Sequence, residues 1–180
     1  MSIGKFAGAA LTLSVAFSLA GCRSDGVDPG HAESTPAAAW WYAMEFEPVS
    51  RIVHGIDVAR FDSSWSRADA LGARMLESRV EPGGLSEFHD SGLSLSLTAD
   101  LDGDGTDEDF FVGVFAANDG SRGRFLAITR DGRLLHHFTQ SGTAGFSALL
   151  AQGDEVRWYK CLQCGDFDSI RWAGSSYALE

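Results

Sequence analysis

The sequence predicts a mainly β domain with one helix, arranged as an antiparallel β-meander, and three observations lead there. Leu93, Leu95 and Leu97 alternate with Ser94, Ser96 and Thr98, the period of two expected of a strand that buries one face. Phe110-Phe111-Val112-Gly113-Val114-Phe115 is apolar throughout, which suits a central strand covered on both sides. Turn chemistry then recurs at short intervals, at Asn118-Asp119-Gly120, Asp131-Gly132 and Gln152-Gly153-Asp154.

The chain opens on a different kind of segment. Lys5 is the only charged residue before Cys22, and the stretch from Phe6 to Leu19 is apolar or small. A basic start, an apolar centre and small residues before a cut make an export signal. The apolar run is shorter than the roughly twenty residues a transmembrane helix needs. Leu19-Ala20-Gly21-Cys22 resembles the lipobox of bacterial lipoproteins. That resemblance implies cleavage after residue 21, lipidation of Cys22 and a chain anchored in the cell envelope. Arg23 after the cysteine, in place of Asp, implies transit to the outer membrane, with the domain facing the periplasm. Residues 22–39, rich in Ser, Asp, Gly, Pro and Ala without an apolar period, read as a flexible tether. A single β-rich domain is expected over 40–180.

Within that domain the helix is expected from about Ser63 to Ser78. Trp65, Ala68, Leu71, Met75 and Leu76 recur at helical spacing, and Asp62 or Ser63 is placed to cap the first turn. Everything after it reads as strand: Leu93 to Thr98, the Phe110 run, Arg124 to Arg130, Arg133 to Phe138, Phe146 to Leu150 and Val156 to Cys161. Ile170 to Leu179 reads as a closing hairpin.

Cys161 and Cys164 remain as an even pair once Cys22 is set aside. Their spacing fits a small disulfide between two strands, the reading favoured in an oxidising compartment. It is also the spacing of a thioredoxin-like site, which wants a helix start, and of half a zinc knuckle, which wants two more ligands. Val156 to Lys160 and Phe167 to Trp172 look like strands, and no further Cys or His follows before Glu180.

The sharpest motif is Asp100-Leu101-Asp102-Gly103-Asp104-Gly105-Thr106-Asp107-Glu108. Acids at positions one, three and five of a tight loop converge on a point, and a hard cation such as calcium prefers several oxygens there. Asp100, Asp102 and Asp104 fill those positions, the Thr106 carbonyl fills position seven and Glu108 fills position nine. An EF-hand wants Glu at position twelve between two helices, but Phe111 stands there and both flanks read as strands. The other reading of such a run is a solvated acidic turn. From about Leu95 to Ile128 the pattern resembles one FG-GAP or VCBS-type repeat, which implies a structural calcium in a strand-loop-strand site. Asp109 departs from that pattern, where an apolar residue is usual. No second good copy occurs, so an isolated propeller-blade-like sheet is expected in place of a propeller.

The chain carries a formal charge of −11, one unit more negative without Lys5. That sign argues against nucleic acid, whose phosphates need Lys and Arg, and against attraction to anionic lipid. It favours encounter with basic partners. His136 and His137 are adjacent in an expected strand and so point to opposite faces, and no spacing of carboxylates selects a catalytic pair. No enzyme is expected. The combination of anchor, disulfide and single calcium loop resembles periplasmic immunity or inhibitor lipoproteins paired with effectors of type IV or type VI secretion. The resemblance implies a protein partner, an antibacterial effector such as a peptidoglycan hydrolase. Residues 118–123 and 141–145 are the candidate contact loops. The alternative is a calcium-dependent adhesion or envelope-assembly lipoprotein.

Overall fold

The computed structural model describes residues 39–80, 83–162 and 164–180. The signal segment, Cys22 and all but the last residue of the tether lie outside the described residues. Two antiparallel sheets and a small hairpin make up the domain. The hairpin pairs β1 (Ile52–Val53) with β2 (Ile56–Asp57). The larger sheet contains β3 (Trp65–Ala70), β5 (Glu108–Ala117), β6 (Arg122–Arg130) and β7 (Arg133–Ser141) in that order, and β4 (Ser96–Ala99) pairs with the first half of β5. The second sheet runs β11 (Tyr177–Leu179), β10 (Phe167–Trp172), β9 (Glu155–Tyr159), β8 (Ala148–Gln152). The mainly β, antiparallel character is as expected. The single meander is not: it divides after β7 into two sheets, joined by an isolated bridge between Ser94 and Leu149.

The division follows from where the apolar residues point. In β5, Phe110, Val112 and Val114 face a core shared with Leu126 and Ile128 of β6 and with Phe146, Leu149, Trp158 and Ile170 of the second sheet region. On the opposite face, Phe111 and Phe115 join Phe125 and Ala127 in a second cluster, closed by Val53, Ile56, Val58 and Phe61. The all-apolar run is thus buried on both sides, as its composition predicts. Fully burying a Leu such as Leu126 stabilises by about 1.5–3 kcal/mol, and sheets with apolar residues on both faces require two covers. The second sheet supplies one and the β1–β2 hairpin region the other.

The turns hold their expected places. Asp131 and Gly132 both have positive φ, 51° and 71°, the two left-handed residues of a tight hairpin turn whose twist matches its strands. At Gly113 the need is for space: a Cβ there would lie 2.3 Å from the Phe125 ring and 2.5 Å from the Asp69 carbonyl.

The predicted helix over Ser63–Ser78 is corrected. Its first half is strand β3, and only Ala73–Glu77 is helical, as α2; two further short helices are α1 (Trp40–Ala43) and α3 (Gly84–Asp90). The cause is a β-bulge. The register of β3 against β5 slips between Trp65 and Arg67, so Trp65 and Ala68, three residues apart, both turn inward and imitate helical spacing. Asp62 does cap, but it caps a turn, accepting the Ser64 N–H at 2.8 Å.

Candidate metal centre

The acidic loop spans the gap between β4, which ends at Ala99, and β5, which begins at Glu108. Backbone N–H groups fix one oxygen of Asp102, Asp104 and Glu108 and both oxygens of Asp100. Asp102 accepts from the Asp104 N–H at 3.1 Å, Asp104 from Thr106 N–H at 2.8 Å and Glu108 from Leu101 N–H at 2.9 Å. Asp100 accepts from both Gly103 and Gly105 N–H at 2.9 Å. Such short-range bonds are what Asp offers a turn. They also orient the remaining oxygens.

The carboxylates converge. Asp100, Asp102 and Glu108 can place one carboxylate oxygen each within 4.8 Å of one another. Asp104 and the Thr106 carbonyl join them through a residue that the loop itself does not contain. Arg130, the last residue of β6, lays Nη1 on Asp104 at 2.6 Å and Nη2 on Asp102 at 2.9 Å, on the Thr106 carbonyl at 3.3 Å and on Glu108. Glu108 is fully buried, and the Arg130 side chain is 22% exposed. The Arg130 guanidinium, foremost, and the Thr106 N–H hold the Asp104 carboxyl below its ordinary range; the same contact raises Arg130.

Of the five sequence-predicted ligand groups, four therefore bind one cation, a guanidinium, and Asp100 sits within reach of two of them. An all-oxygen set fits a hard cation. Four carboxylates around one guanidinium also leave an excess of negative charge. Asp100, Asp102 and Glu108 could hold a metal ion; were it calcium, Asp104 and the Thr106 carbonyl would join them and Arg130 would give way. Spacing within the loop could not reveal Arg130. The hairpin register could, because Glu108 and Arg130 lie one step beyond the Asp109–Thr129 pair. Asp109 itself points away, exposed, and its carbonyl accepts from Thr129 Oγ1 at 3.4 Å.

Beside this seat lies a cavity of about 290 Å³ lined by Asp102, Arg130, Leu135, His136, Trp172 and Tyr177. Both sheets contribute to it. Burial, then the nearby Asp102, raises the Tyr177 hydroxyl. His136 faces this side, 6.2 Å from Tyr177, while His137 packs on the other, 5.8 Å from Trp65. The opposed orientation expected of the pair is what the strand produces. Burial lowers the pKa of each imidazole.

Cys161 and Cys164 are joined as a disulfide, Cα atoms 5.8 Å apart, in the connection between β9 and β10. Strands on both sides leave no helix start for a redox thiol.

The two candidate contact loops lie at the far end of β5 and β6 from the acidic loop. Residues 118–123 turn β5 into β6, with Asp119 accepting from the Ser121 N–H and hydroxyl at 2.9 and 2.6 Å. Residues 141–145 leave β7, and the Gly142 N–H donates to the Arg122 carbonyl at 2.8 Å. That bond ties one loop to the other. Ten residues of strand separate this end from the metal seat, about 30 Å at 3.3 Å per residue.

No protein-family model, curated protein or solved structure matches the chain.

Proposed function

We propose that this chain is a lipid-anchored, periplasm-facing inhibitor, an immunity protein that neutralises an antibacterial effector such as a peptidoglycan hydrolase. The observation that carries the reading is the pair of loops at 118–123 and 141–145. They are set side by side at one end of the larger sheet and tied by the Gly142–Arg122 bond. Loops held by a rigid sheet are the common place for recognition, and pre-ordering them lowers the entropic cost of binding. The charge of −11 suits a basic partner.

Calcium in this reading is structural. It neutralises the acidic loop and locks β4 to β5, but stands a strand length from the contact loops. Its removal then weakens binding by loosening the fold, without deleting a contact.

Affinity capture from envelope extract, and with the product of the adjacent gene, tests the proposal. A stoichiometric complex with one secreted hydrolase, with loss of its activity, supports it. Recovery of envelope glycans or structural proteins alone contradicts it and favours calcium-dependent adhesion or envelope assembly, for which the aromatic cavity beside the metal seat is the supporting observation. Labelling of intact cells separates the two, since an adhesin is labelled from outside.

A further inference from the structure

We propose that Arg124 is a receptor for a carboxylate carried by the protein partner. The proposal names the chemistry of that partner, and rests on the inhibitor reading for the occupant being a protein.

Four other arginines of the domain meet carboxylates: Arg122 with Glu47, Arg130 with the acidic loop, Arg157 with Glu155, and Arg171 with Asp154 and Glu155. Among the described residues Arg124 meets none, although it is partly buried on β6 and its Nε is enclosed without a hydrogen-bond partner. Burial alone lowers its pKa, with no carboxylate opposing the effect. Lys160 does not change that. Lys160 is only 13% exposed, its ammonium engaged by Asp168, by the Trp158 carbonyl at 3.1 Å and by the Trp158 ring face at 4.4 Å. Arg124 acts on Lys160 as a like charge, and Asp168 and Asp166 as opposite ones. Asp168 is thus already committed to Lys160, and no described carboxylate pairs with Arg124.

The position bears on partner binding. Arg124 Nη2 lies over Gly145, where a Cβ would stand 2.8 Å from it and 3.3 Å from the Thr143 methyl. The guanidinium is therefore seated against the 141–145 contact loop, in space that the missing side chain leaves open. A partly buried guanidinium whose enclosed Nε has no acceptor is costly, and its planar fork matches a carboxylate with two parallel bonds. The net charge of −11 weakens the capture of free anions without abolishing it, and favours a carboxylate held close. The carboxylate that fits is one that a docking protein delivers at short range.

The receptor can be tested without the partner. In the full chain labelled with ¹⁵N at arginine, succinate is titrated and the Arg124 Nε–H signal, assigned by its loss in Arg124→Met and Arg124→Lys, is followed. A saturable shift several-fold larger than that of the exposed Arg51 supports the proposal. A linear shift no larger than that of Arg51 overturns it. Arg124→Met is expected to raise Tm by about 2–4 °C, because it removes a partly buried charge that no described carboxylate pairs with; a fall of that size would mean that Arg124 is a structural residue, and would overturn the proposal. With the effector in hand, Arg124→Met weakens the complex if the inhibitor reading holds. A saturable succinate shift in a chain that captures no effector would refute the inhibitor reading while leaving the receptor standing.

Discussion

Arg130 places its guanidinium on the buried carboxylate of Glu108, a residue 22 positions earlier in the chain. The β5–β6 hairpin brings them together, and the acidic loop closes around the same guanidinium. One side chain thereby does within the protein what a bound cation would do. It would also compete for such a cation's place.

Arg130→Gln should separate the two roles. Without metal, the variant leaves four carboxylates facing one another and is less stable than the parent. With calcium it recovers, so the gain in Tm between chelator and calcium is larger in the variant than in the parent. Thermal melts in both conditions check this. Equal gains would show that Arg130 and calcium do not share a seat.

Glu108→Ala removes the acceptor of the Leu101 N–H as well as the partner of Arg130. Orphaning a buried donor costs about 1–3 kcal/mol. Calcium should restore little of it, because the variant lacks a ligand. Denaturant unfolding with and without calcium measures both.

His137 is half-buried against Phe61 and Trp65, and burial sets its pKa below the usual 6.5; His136 lowers it further and Asp62 opposes. The folded chain then binds the proton less readily than the unfolded one. Its contribution to stability is complete above pH 6.5 and lost as pH falls through the folded-state pKa. Tm should decline on acidification below 6.5, and His137→Gln should flatten that decline. The Asp104 contribution has its own window, lost only as pH falls below 3.8.

Gly113→Ala should be among the most damaging small changes in the domain. The added methyl meets both the Phe125 ring and the Asp69 backbone, and overpacking of this kind costs about 1–3 kcal/mol. An equilibrium unfolding curve is sufficient to see it.

Strands and turns were legible because their signals are local. The alternation of Leu93 to Thr98, of which only Ser96 onward is strand β4 while Ser94 forms an isolated bridge, and the turn at Asp131-Gly132 need only their neighbours in sequence. The helix reading failed where a bulge, a feature of pairing between β3 and β5, placed Trp65 and Ala68 on one face. Helix α3 was missed because seven residues carry too few turns for a period to stand out. The loop acids were legible by spacing, but Arg130 was not, since its contact depends on hairpin register. Arg124 was invisible for a further reason: its interest lies in the absence of a partner, which only the packed chain defines.

The central claim is that the Asp100–Glu108 loop seats calcium where the Arg130 guanidinium lies, and calorimetric titration of calcium into the full chain tests it most directly. The account predicts one site per chain, weakened severalfold by Asp102→Asn and tightened by Arg130→Gln. Absence of binding heat at several temperatures, in both the parent and Arg130→Gln, would contradict it.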